Sequence, residues 1–192
     1  MSKVVIQGNA SGTGDFTIAA PNSNTNRTLT LPDEAGTVLT NATTTGFPAG
    51  SVLQVVQGIT TTETTSSSAS SIDTTLAATI TPTSASSKVL IMIAIAEAMK
   101  SNGSAGNRIK LELYKNGSNM TISGSAQVMS GNLYTASALQ NRGSLAFNYL
   151  DSPSTTSATE YRLYFQNVGA AASVAVQNNS TPSTIILMEI AG

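Results

Sequence analysis

Apolar and polar residues alternate over short stretches along most of this chain, and turn residues separate the stretches. Phe16 with Ile18, Leu29 with Leu31, and then Val38 mark narrow alternating runs, divided by turn-forming residues at 21–26 and 32–36. Such runs predict β-strands of roughly five residues joined by tight corners. Strands this narrow bury one or two apolar side chains per face, so residues 1–46 are expected to need another chain or a larger surface to fold against. A boundary is predicted at Phe47-Pro48-Ala49-Gly50, after which the apolar runs lengthen. From there strands are expected at 52–60, 75–81, 88–99, 108–115, 119–123, 143–149, 161–167, 173–177 and 184–190. Strands spaced by turn signals in this way predict an all-β fold, an antiparallel β-sandwich of jelly-roll kind over 47–192.

Two of the runs are cleanly two-sided. Ile109, Leu111 and Leu113 share one face, with Lys110, Glu112 and Tyr114 on the other; Tyr161, Leu163 and Phe165 repeat the pattern against Arg162, Tyr164 and Gln166. Asn116-Gly117 follows the first run at once, and that dipeptide favours the left-handed torsions of a type I′ turn, so 108–115 should fold back on 119–123. The run from Val89 to Met99 is different, being almost continuously apolar. A membrane-spanning helix needs about 20 such residues and this one holds Glu97, so a buried central strand is the better reading, with a short core helix as the alternative. The tract 60–71, built of Thr and Ser with one Glu and one Ala, reads as a long exposed loop or an edge strand within the sandwich, with an interdomain linker as the alternative. Residues 102–107, 130–140 and 152–159 read as loop tips, where binding on a rigid β-scaffold would sit.

Composition narrows the function. Of 192 residues 40% are apolar, enough for one core and an extension, while only 10% are charged, against the roughly one quarter usual in soluble domains. The 26 serines and 27 threonines must therefore cover the surface. Disorder does not fit, because disordered chains owe their solubility to high charge and low hydrophobicity. A net charge of −1, with nine Lys and Arg placed singly, removes the electrostatic case for nucleic acid. The opening Met1-Ser2-Lys3 runs into an apolar stretch too short for a signal peptide, and no membrane insertion is expected.

Catalytic chemistry is thin. There is no His and no Cys, which excludes Ser-His-Asp and Cys-His nucleophilic sets, and zinc sites with nitrogen or sulfur ligands. A glycosidase would need two of the ten carboxylates facing each other across a cleft, yet there is no Trp and only 5% aromatic residues to hold sugar rings, so no enzyme and no cofactor are expected. Asp33-Glu34 reads as part of a Pro-Asp-Glu-Ala-Gly turn in preference to a cation site. Ser11-Gly12-Thr13-Gly14-Asp15 lacks the Lys and the helix of a phosphate loop and reads as a turn.

The stretch Gly14 to Leu39, Gly-Asp-Phe-Thr-Ile-Ala-Ala-Pro-Asn-Ser-Asn-Thr-Asn-Arg-Thr-Leu-Thr-Leu-Pro-Asp-Glu-Ala-Gly-Thr-Val-Leu, resembles a segment that recurs in tail-fibre and other virion structural proteins of tailed bacteriophages. Gly50 to Val56, Thr81-Pro82-Thr83, Ser87 to Ile91 and Ser183 to Ile190 are similar to C-terminal β-domains of such appendages. The resemblance implies a virion location after synthesis in the host cytoplasm, and a homotrimer. A dimer or a pentameric knob would meet the extension's need for partners equally well. The expected partners are further copies of the chain, phage capsid or tail proteins, and host surface glycan. Particle attachment and trimerisation are assigned to Phe16, Ile18, Leu29, Leu31 and Val38, and subunit or ligand contacts to Tyr114, Tyr134 and Tyr164. Attachment to the capsid, as a decoration or head fibre, and attachment to the tail, as a short fibre, both remain open. A receptor-binding module that recognises host surface glycan is the alternative function.

Overall fold

A computed structural model describes residues 8, 10–15, 17–19, 21–28, 30, 33, 35, 47–101, 108–125, 128–130, 140–170 and 172–192. The chain divides into two compact units, Met1–Val38 and Leu39–Gly192. In the first unit the described residues are turns, bends and irregular chain, all exposed. Ile18 is 74% exposed there, and Thr25 N–H donates to Ser23 Oγ at 3.1 Å. The calls at Phe16, Leu29, Leu31 and Val38 lie outside the described residues.

The second unit is a two-sheet antiparallel sandwich. Its strands are β1 (Val52–Thr60), β2 (Thr64–Ser66), β3 (Ile72–Ile80), β4 (Lys88–Lys100), β5 (Ile109–Lys115), β6 (Ser118–Asn119), β7 (Met129–Ser130), β8 (Asn141–Asp151), β9 (Thr159–Asn167), β10 (Val174–Val176) and β11 (Ser183–Ile190). The pairings nest. β1 pairs with β11, β3 with β9, β4 with β8, and β5 with β6 and β7, so early strands take late partners in inverse order. Two further pairings, β4 with β11 and β5 with β9, knit each half into one sheet. The first sheet runs β1-β11-β4-β8, with the short β2 and β10 continuing it past the end of β11; the second runs β3-β9-β5 and then β6 and β7. A long hairpin rolled on itself in this way is a jelly roll.

Period-two side chains supply the core. Val89, Ile91, Ile93 and Ile95 of β4 and Ile185 and Leu187 of β11 face Leu76 and Ile80 of β3, Ile109, Leu111 and Leu113 of β5, and Leu163 and Phe165 of β9, all essentially fully buried. Gly58 sits where β1 crosses β3 so closely that a Cβ there would lie 2.0 Å from the Ala77 carbonyl oxygen, and no larger residue fits. The run from Val89 to Met99 is strand, not helix, and lies within β4, whose 13 residues make it the longest strand among the described residues.

Of the two less regular segments, one agrees with the sequence reading and the other differs from it for a local reason. The tract 60–71 contains β2, an edge strand paired with β10. The strand expected over 119–123 reduces to Ser118–Asn119, because a second reversal at Ser123-Gly124, both with positive φ, turns the chain at once and leaves only an Ile122–Ser125 bridge. The Asn116-Gly117 turn is as expected, with φ of 48° and 79° and Lys115 paired to Ser118. It is also held from the side: Asn116 Oδ1 accepts from Glu160 N–H at 2.8 Å.

Candidate interaction surfaces

The outward face of the second sheet is a polar lattice around two tyrosines. Cross-strand register sets Glu112 beside Tyr164 and Tyr114 beside Arg162, which brings the two rings together on a diagonal at a centroid separation of 4.1 Å and a tilt of 34°. Arg162 donates to Asp73 at 2.8 Å and, through two nitrogens, to both oxygens of Glu160 at 3.1 and 3.0 Å. Those hydrogen bonds from Arg162 hold the Glu160 carboxyl below its ordinary range. Glu112, almost fully buried by its neighbours, accepts from Lys110 at 2.8 Å, Gln166 at 3.0 Å and the Ser71 hydroxyl. Lys110, Tyr114, Arg162, Tyr164 and Gln166 are each only half-buried. Tyr114 and Tyr164, each expected to face outward, are thus in contact with one another, and Tyr134 lies outside the described residues.

At the end of the sandwich where β5 turns into β6, a cavity of about 260 Å³ is lined by Lys115, Ser118, Asn119, Met120, Thr121, Tyr149 and Asp151. Asp151 is fixed from two sides, by Lys115 Nζ at 3.0 Å and by the Tyr161 hydroxyl at 2.6 Å. Burial, and then that bond to Asp151, push the Tyr161 phenol far above its ordinary value, so it stays a neutral donor. Asn119 Oδ1 is buried there with no protein donor. Sequence reading missed this site because its residues come from three separate strands and a turn.

The outward face of the first sheet has the opposite chemistry. Register aligns Val55, Met188, Leu90 and Leu150 in one row across all four strands. The next row is Gln57, Ile186, Met92 and Asn148, and the one after it Ile59, Thr184, Ala94 and Ala146. Val55, Ile59, Met92 and Leu150 are 57%, 64%, 41% and 46% exposed. The two inner rows frame a shallow hollow of about 310 Å³ floored by Ala94 and Ala146. The signal for this face was in the sequence. Val89-Leu90-Ile91-Met92 and Ile185-Ile186-Leu187-Met188 do not alternate, and a run apolar at every position has both faces to cover.

Among the described residues no three or more metal-binding side chains converge, and no helix is long and apolar enough to cross a membrane. Asp33 lies exposed at a bend, and its neighbour Glu34 is outside the described residues.

No protein-family model matches the chain, and no curated protein matches it in sequence. Solved structures with partial likeness include a chain of infectious bursal disease virus, Gx strain, at 12% identity and a TM-score of 0.36 over 82% of this chain and 41% of that one. The infectious bursal disease virus VP2 subviral particle gives 15% identity and a TM-score of 0.33 over 72% of this chain and 37% of that one. The chain thus spans about two fifths of the length of either. The jelly-roll assignment rests on the strand pairings themselves.

Proposed function

We propose that the protein is a non-enzymatic virion appendage of a tailed bacteriophage, a homotrimeric fibre or knob that attaches to the particle through residues 1–46 and projects the sandwich of 47–192. The observation that carries a role in assembly is the apolar row crossing all four strands of the first sheet, on a chain that is only 10% charged. A sheet face of that kind is a protein-contact surface. The likeness of Gly14 to Leu39 to phage fibre segments supports the particle as the place where it acts. Gold-labelled antibody against residues 47–192 should decorate intact particles, over the shell for a capsid decoration or head fibre and at the tail for a short fibre. Unlabelled particles would overturn the virion reading.

A receptor-binding role is favoured by one separate feature, the end cavity with its tyrosine ring, its Lys115–Asp151 pair and the undonated Asn119 oxygen. Those groups suit a neutral polyhydroxylated ligand such as a glycan. Saturable binding of the protein to host cells, lost in Asn119→Ala and Tyr149→Ala, is the expected result. Unchanged binding in both variants would remove the cavity from consideration.

A further inference from the structure

We infer that the outward face of the first sheet is covered by a second copy of this chain, the ridge of one copy seated in the hollow of the other. The inference rests on the self-assembly reading above and names its surface. Three observations carry it.

Relief is the first. The row Val55, Met188, Leu90 and Leu150 carries large apolar side chains on all four strands, and four residues further along β4 the row Ile59, Thr184, Ala94 and Ala146 is large only at Ile59 on β1, its small residues lining the hollow. Large side chains opposite small ones let sheet faces interdigitate at the roughly 10 Å spacing of stacked sheets. One face that carries both halves of the fit needs no other partner.

Area is the second. Four strands roughly 4.8 Å apart and about nine residues long, at roughly 3.3 Å each, give a footprint of roughly 570 Å² before side-chain relief is added. That footprint exceeds the roughly 500 Å² per partner that a specific interface needs, and is smaller than the roughly 800 Å² of a standard one.

Charge is the third. Between Lys88 at one end of β4 and the Arg142–Glu97 pair at 2.9 Å towards the other, the three rows contain no ionisable side chain. An anionic membrane surface would call for a basic rim, and a nucleic acid for a basic stripe. A neutral face is suited to a neutral face.

The test uses the full chain. Wild-type protein should sediment at a multiple of 19.6 kDa, and Leu90→Glu combined with Met188→Glu should shift it to the monomer mass while it keeps a cooperative thermal melt, lower than that of the multimer. Tyr114→Ser with Tyr164→Ser, on the opposite face, should leave the multimer intact. A second variant keeps the test decisive if the glutamates prevent folding. Leu90→Cys with Ala94→Cys places two thiols on one face of one strand, about 13 Å apart and too far for a bond within a chain. The chain has no cysteine of its own, so mild oxidation should give disulfide-linked dimers, and the corresponding Tyr114→Cys protein should give none. A multimer that survives the glutamates and does not cross-link through the cysteine pair would mean that copies meet elsewhere, overturning this inference and leaving self-assembly standing. A monomeric wild type at micromolar concentration would overturn both.

Discussion

The two sheets of the sandwich have similar inner faces and opposite outer ones. Inside, both present mostly apolar side chains at every second position, Val, Ile and Leu in the first sheet and Ile, Leu, Tyr and Phe in the second. Outside, β5 and β9 carry Lys110, Glu112, Arg162 and Gln166, satisfied by one another and by Asp73 and Glu160. The outward residues of β4 and β11 in the corresponding positions are Leu90, Met92, Ile186 and Met188. A strand needs only one apolar face to join a core, so the packing of the sandwich itself does not explain the second apolar face on the first sheet. The comparison separates two requirements that an alternating pattern satisfies together: folding, met by the inner faces, and solubility, met on one outer face alone.

The largest expected effect on this contrast is the collapse of the assembly to monomer when Leu90 and Met188 become glutamate, with no change when the two tyrosines of the opposite face become serine. Next comes the interior of the polar lattice. Glu112→Ala leaves Lys110 and Gln166 without their shared acceptor, a loss of about 1–3 kcal/mol, read from the urea midpoint of the monomeric Leu90→Glu, Met188→Glu protein so that dissociation does not intrude.

Acid should act on the first sheet through a different group. Glu189 is fully buried. Burial raises its carboxyl, but hydrogen bonds from Gln54 at 2.6 Å and from the Thr83 amide and hydroxyl at 2.7 and 2.8 Å outweigh it and leave the pKa below the ordinary 4.5. A carboxyl lowered by folding stabilises the fold above its unfolded pKa and loses that contribution as pH falls through the folded one. Stability should therefore decline as pH falls below about 5, where the unfolded-state carboxyl begins to protonate, and Glu189→Gln should flatten that limb of the pH profile. An unchanged profile in the variant would assign acid sensitivity to other carboxylates. The smallest effect separates the faces by salt. Sodium sulfate should tighten association through the apolar face, whereas the half-exposed Arg162 pairs should lose no more than about 1 kcal/mol to screening.

Much of this fold was legible because most strands obey a two-residue period or stop at a recognisable turn. The bounds expected for β1 match those observed, and Asn116-Gly117 located a reversal to the residue. β2 and β7 escaped separate assignment because strands of three and two residues bury too little to leave a pattern. The strand expected at 119–123 failed because Ser123-Gly124 was read as strand terminus when it is itself a tight turn. Of the site residues, Tyr114 and Tyr164 were chosen singly for facing outward; that they touch depends on the β5–β9 register, which no single run encodes. The apolar outer face was written in the continuous runs of β4 and β11. The continuity of the run in β4 points to a central position, which holds for β4 and β11 alike, and the second consequence, a face awaiting a partner, appears only when the rows are aligned.

The nested pairing has a practical corollary. Gly50 N–H donates to the Ala191 carbonyl and Ala191 N–H to the Ser51 carbonyl, each at 2.8 Å, so the backbone comes into the sandwich and goes out of it side by side. A peptide fused after Gly192 would therefore emerge at the root of the sandwich and not at its tip. An epitope meant for display belongs at the other pole, in the connection from β1 to β2 or from β9 to β10, where an insertion lengthens a link between strands that pair with other partners.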